Sequence, residues 1–148
     1  MAFTCFFRDG QAPDLLAEHV IPDLATRRYM DVWDAGCATG PEPYSIAMTF
    51  REHMGPFLFR NLRIWATDID ETDTFGRIIA RGVYCEQETK RIPAEIRARH
   101  FSPSGGDGRR REIGGRARSL STLPVRSRKK GRPREVHRSP ALEGFLLE

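Results

Sequence analysis

Long hydrophobic runs are missing from this 148-residue chain. Nowhere do about 18 apolar residues stand together, which excludes a membrane-spanning helix and leaves no membrane insertion to expect. The opening residues lack a basic stretch followed by an apolar one, so they do not read as a secretion signal. Cysteine is scarce: Cys5, Cys37 and Cys85 are odd in number and far apart. That argues against a disulfide framework and leads to the expectation of a reducing, cytoplasmic setting. The four histidines, His19, His53, His100 and His137, show no metal-ligand spacing and pair with no cysteine. No internal repeat is present.

Charge of one sign is lacking only in halves. Residues 1–102 carry 12 Lys+Arg against 15 Asp+Glu, a net of −3, whereas residues 103–148 carry 12 against 5, a net of +7. The basic half contains Arg109–Arg111 and the run Arg126–Arg134, but no interleaved aromatics on which bases stack. Nucleic acid is therefore not an expected partner. Its Arg, Gly, Pro and Ser content is what a G+C-rich gene yields when read out of frame. Residues 103–148 are accordingly read as an irregular basic tail, disordered or loosely helical, separate from a domain at 1–102.

What is there, before residue 103, is α/β grammar. Leu15, Leu16, Val20 and Leu24 recur at roughly helical spacing, bent or ended by Pro22. Tyr29–Ala35 suits a buried strand. Pro41 to about His53 reads as a helix with Tyr44, Ala47 and Met48 on one face, started by prolines and stopped at Gly55-Pro56. Leu62–Thr67 is a second strand, Thr72–Ala80 a helix closed by Gly82, and Lys90–Phe101 a further helical or turn segment. Strand, helix, strand, helix within about 50 residues predicts a parallel sheet, the first half of a doubly wound fold.

The chemistry concentrates in Asp34-Ala-Gly36-Cys-Ala-Thr-Gly40-Pro-Glu42-Pro-Tyr-Ser45. A glycine-rich turn between strand and helix lets backbone approach a ligand, and doubly wound sheets bind ligands beyond the strand ends. Asp68, at the end of the second strand, is placed to accept hydrogen bonds from both hydroxyls of a ribose. A dinucleotide site would want Gly-x-Gly-x-x-Gly, and the chain offers Gly36-x-x-x-Gly40 with Glu42 close behind. A carboxylate there repels phosphate and suits a cationic cofactor such as S-adenosyl-L-methionine. Plainer readings stand beside these: turn glycines for Gly36 and Gly40, a helix cap for Asp68 or Asp70, helix-dipole complementation for Glu42 and surface or capping positions for Thr4 and Arg8.

Thr4-Cys-Phe-Phe-Arg8-Asp9, Trp33-Asp-Ala-Gly-Cys-Ala-Thr-Gly-Pro-Glu-Pro-Tyr-Ser45, Ala66-Thr-Asp-Ile-Asp70 and Arg81-Gly-Val-Tyr84 resemble, in order and spacing, the CheR-type chemotaxis-receptor methyltransferases over residues 3–102. The resemblance implies a partial Rossmann-like methyltransferase fold and methyl transfer from S-adenosyl-L-methionine to receptor glutamates, forming γ-methyl esters. It also implies methyl-accepting receptor cytoplasmic domains as partners. By motif position it places Thr4 and Arg8 near the cofactor's methionine end and the incoming glutamate. Glu42 falls at the charged methionine portion, Asp68 at the ribose, and Arg8 is the catalytic candidate. Phe6, Phe7 and Tyr84 read as packing residues. The family's Gly-Glu-Glu-Pro-Tyr-Ser carries Pro41 here in place of its first Glu. The N-terminal helical domain of longer members and the fourth-strand Asn motif are not found, so the chain reads as a short, truncated or frameshifted form. The competing reading is a catalytically inactive cofactor-binding fragment, or an accessory binding protein with a basic tail.

Overall fold

The computed structural model describes residues 4–70, 72, 74–104, 110–113 and 125–128. The chain begins with α1 (Gln11–Leu15), a π-helical turn (Leu16–Val20) and α2 (Ile21–Ala25). The expected effect of Pro22 takes an unexpected form. Its ring lacks an N–H and crowds the carbonyl four residues back, and the turn before it widens instead of breaking. The buried apolar residue of this region is Ile21; Leu16 and Leu24 are partly buried, and Leu15 and Val20 are exposed.

Strand β1 (Met30–Ala35) lies parallel to β2 (Leu62–Ile69), with Val32 opposite Ile64 and Asp34 opposite Ala66. Between them runs α3 (Pro41–Phe59), whose backbone breaks at Gly55 (φ 72°) and resumes helically from Pro56 instead of ending there. Tyr44, Ala47, Met48 and Phe50 of α3 are buried with Ile64 and Ala66 of β2. The sheet is thus buried on one face, and β1 is not the fully buried strand its composition suggested. On the other face Trp33 and Ile69 are each 70% exposed. That face is laced by polar contacts: Trp33 Nε1 donates to Thr67 Oγ1 at 3.0 Å, Trp65 Nε1 to Asp31 Oδ1 at 2.9 Å, and Arg63 pairs with Asp31.

Helix α4 (Phe75–Arg81) ends at Gly82 in the left-handed conformation, and β3 (Val83–Cys85), α5 (Ala94–His100) and β4 (Phe101–Ser104) follow. β5 (Arg110–Ile113) pairs antiparallel with both β3 and β4, and β6 (Val125–Arg128) extends the parallel sheet beside β2. Both strands fall beyond residue 102, in the stretch read from sequence as a disordered or loosely helical tail. The rest of the basic tail, including residues 129–134, His137 and 145–147, lies outside the described residues. Glu52 of α3 ties α5 to the domain by accepting hydrogen bonds from Arg99 and from buried His100, whose Nε2 stands 2.7 Å away. Burial pushes the Glu52 carboxyl up, but the hydrogen bonds from Arg99 and His100 outweigh it and hold the group below its ordinary range. No helix among the described residues is long and apolar enough to cross a membrane.

Candidate cofactor site at the ends of β1 and β2

The turn after β1 is built for close approach. Gly36 (φ 102°), Ala38 (φ 46°) and Gly40 (φ 103°) all take positive φ, where glycine is favoured. The strand ends hold this shape: Gly36 N and Cys37 N donate to Thr67 O at 2.7 and 3.2 Å, and Ala38 N donates to Asp68 Oδ2 at 2.6 Å. Tyr84 OH donates to Thr39 O at 2.9 Å, so the Tyr84 reading as a packing residue gains a second task, bracing the turn. Gly36 has open space where a Cβ would stand, whereas at Gly40 that atom would lie 2.6 Å from Ile79 Cγ1.

Beyond β2 the two aspartates separate. Asp70 is buried; its oxygens accept hydrogen bonds from Thr72 N and Oγ1 and from Phe75 N, the first helical amide of α4. Burial opposes its charge, but these donors win and hold its carboxyl below the usual range. Its role is to start a helix, as the sequence suggested. Asp68 instead bridges the glycine-rich turn and its own neighbour, Ile69 N, at 2.6 Å.

The N-terminal motif reaches the same region through packing. Phe6 is fully buried, its ring edge-on to Tyr84 at 4.9 Å and Phe101 at 5.7 Å. Phe7 N donates to Ser45 Oγ, which itself donates to Pro41 O. With residues 6 and 7 anchored, Arg8 Nη2 lies 3.9 Å from Glu42 Oε2 in the first turn of α3. Both side chains are about half exposed. Thr4 is half-buried. Arg8 and Glu42 also border a largely apolar cavity of ≈ 560 Å³ between this segment, the π-helical turn and α3; Thr4, Asp34 and Asp68 do not line it.

The structure therefore gathers Gly36, Gly40, Glu42, Asp68 and Arg8 around one turn. It adds a residue the sequence reading passed over. Asp34 is 5% exposed, and its Oδ2 has no hydrogen-bond partner among the described residues. Burial, then Glu42, then Asp68 push its carboxyl up to about 6. Cys37, buried beside it, is pushed up to about 12 by burial and by Asp34 and Asp68. Only position could have flagged Asp34: it lies two residues before the first turn glycine, at a strand end.

Asp34 makes a pH-dependent cost visible. Above its ordinary value, about 3.8, the unfolded chain releases this proton, while the folded chain keeps it until about pH 6. Stability therefore falls as pH rises through that window. Asp34→Asn, which removes the loss, is expected to raise unfolding free energy by about 1–3 kcal/mol at pH 7.5 and by little at pH 4. Urea unfolding of both proteins across pH 4–7.5 reads the difference; parallel profiles would show that Asp34 carries no such cost.

Three carboxylates around a turn, one of them buried without a donor, fit a ligand with positive charge and fit a polyphosphate poorly. The comparisons agree. The family described as CheR methyltransferase, SAM binding domain, matches residues 2–120, past the 3–102 of the motif resemblance. A probable chemotaxis protein methyltransferase of Rhizobium etli is 33% identical over 125 residues, 81% of this chain and 46% of its own length. Chemotaxis protein methyltransferases of Vibrio parahaemolyticus and Escherichia coli are each 36% identical, over 72% and 70% of this chain and 39% and 34% of their own lengths. The chain thus spans less than half the length of these relatives. S-adenosyl-L-methionine is the cofactor of the matched domain, and by that match the chain belongs to the CheR methyltransferase SAM-binding domain family.

Proposed function

We propose that this chain serves methyl transfer from S-adenosyl-L-methionine to glutamate side chains of chemotaxis receptors, forming γ-methyl esters. The observation that carries the reading is the convergence of Asp34, Glu42 and Asp68 on a positive-φ turn that the Thr4–Asp9 motif flanks with Arg8. In this reading Asp68 accepts the ribose hydroxyls, Glu42 attracts the methionine ammonium, Gly36 leaves open space for the cofactor, and Gly40 lets the same turn close on Ile79 and Tyr84. Thr4 stands toward the methionine end. When bound, S-adenosyl-L-methionine would supply an electrophilic methyl on a cationic sulfur for transfer to a carboxylate oxygen, the S–C electron pair staying with the sulfur of the leaving thioether.

The receptor glutamate needs no general base, because a carboxylate is already ionised at neutral pH. The chain's work is then alignment and electrostatics. Arg8 orients the incoming carboxylate. It does so from a position 3.9 Å from Glu42, at the first turn of α3.

The test is incubation of the purified chain with methyl-labelled S-adenosyl-L-methionine and receptor cytoplasmic fragments. Base-labile label on the receptor is expected. Asp68→Asn should weaken cofactor binding about tenfold, the loss typical of a charged hydrogen-bond acceptor made neutral. Cofactor binding without labelled receptor would sink the transfer reading; absence of cofactor binding by folded chain would sink the whole proposal.

A further inference from the structure

The buried carboxylate of Asp34 is difficult to explain as packing. It stands one residue from the end of β1, on the strand face it shares with buried Met30 and with Val32, which packs against the core. An acid at that position costs stability unless it is compensated, and among the described residues Oδ2 has no donor. The groups that face it are mostly of its own sign. Glu42 comes from α3, Asp68 from the end of β2, and the Cys37 thiol from its own turn. Arg8 stands 3.9 Å from Glu42. From β6, Arg126 and Arg128 hold register positions beside Thr67 and Ile69. His19 lines the adjoining cavity and lies 3.9 Å from Glu18.

We propose that Asp34 is the residue by which this site distinguishes the cationic cofactor from its uncharged demethylated product, giving up a proton as the cation settles. The inference rests on the cofactor reading above and deepens it. S-adenosyl-L-methionine and S-adenosyl-L-homocysteine share adenosine, ammonium and carboxylate; apart from the methyl group they differ in one positive charge, on sulfur. A site that must release product benefits from sensing that one charge. Because the Asp34 carboxyl is held up to about 6, it is half protonated near that pH, and an arriving cation favours its ionised form. The neutral thioether offers no such pull. Asp34 is a discriminating and positioning residue here: it acts through charge at a distance, since Oδ2 itself is buried.

Isothermal titration calorimetry of the full chain with both compounds, at pH 5 and 7.5, tests this. The preference for S-adenosyl-L-methionine over S-adenosyl-L-homocysteine should grow by about five- to tenfold at the higher pH, the change expected of a unit charge several ångströms away near a protein surface. At pH 6, titrations in two buffers of different ionisation enthalpy should show release of roughly 0.3–0.5 proton with the sulfonium and clearly less with the thioether. Asp34→Asn should bind both compounds with a preference that no longer varies with pH; His19→Gln should keep the wild-type variation. A wild-type preference that stays constant across this range overturns the inference, as does a pH dependence that survives Asp34→Asn or vanishes in His19→Gln. No heat with either compound from folded wild-type chain overturns the cofactor reading itself, a distinguishable failure.

Discussion

Gly40→Ala is expected to destabilise the chain by roughly 2–6 kcal/mol, from backbone strain and overpacking of similar size. At φ 103° an alanine lies outside the conformations that L residues accept readily. Its Cβ would also stand 2.6 Å from Ile79 Cγ1 and 2.7 Å from the Tyr84 hydroxyl. Tyr84 cannot yield freely, because it is buried and donates to Thr39 O in the same turn. Gly36→Ala is the control. It shares the positive φ but meets nothing within 4 Å, so only backbone strain remains, about 1–2 kcal/mol. Chemical unfolding of the two variants checks the contrast. Equal losses would mean that the space around Gly40 is not rigid.

Phe6→Ala should cost about 3–5 kcal/mol, the usual range for removing a buried aromatic ring. Phe6 is the point where the N-terminal motif enters the core, touching Tyr84 and Phe101 edge-on. Stability of a typical domain is about 5–15 kcal/mol in total, so this loss takes a large share of it. It should also loosen the anchor that brings Arg8 toward Glu42. Phe57→Ala serves as comparison: that ring is 69% exposed, with Arg60 stacked over it at 4.2 Å, and should cost no more than about 1 kcal/mol. Thermal or urea unfolding gives both values. A Phe6→Ala loss under about 1 kcal/mol would remove the segment from the core.

Periodicity made β1, α3, β2 and α4 readable, because each has apolar residues at the spacing of its own geometry and a glycine or proline at its ends. The turn glycines and Asp68 were readable for a related reason: backbone chemistry constrains residue type at a strand-to-helix turn. Other features carry no local signature. The π-helical turn before Pro22 and the continuation past Gly55 are tertiary solutions to breaks that the sequence does mark. β3, β5 and β6 are only three or four residues long, and Arg110-Arg-Glu-Ile113 and Val125-Arg-Ser-Arg128 show little apolar alternation. The link between Glu52 and Arg99 with His100 spans 47 and 48 residues, beyond any spacing rule. Asp34 was quoted inside a motif and passed over, since burial without a donor is a property of the assembled turn.

Asp68 shows how one side chain can be committed twice. A carboxylate has about four lone pairs to offer. The amides of Ala38 and Ile69 engage one on each oxygen, leaving a second on each for a vicinal diol. An asparagine in the same place would keep a single accepting oxygen and turn an NH₂ toward one of those amides. With Asp68 in its proposed ribose role, the isosteric replacement would set loop and sugar in competition for what the native anion would let them share.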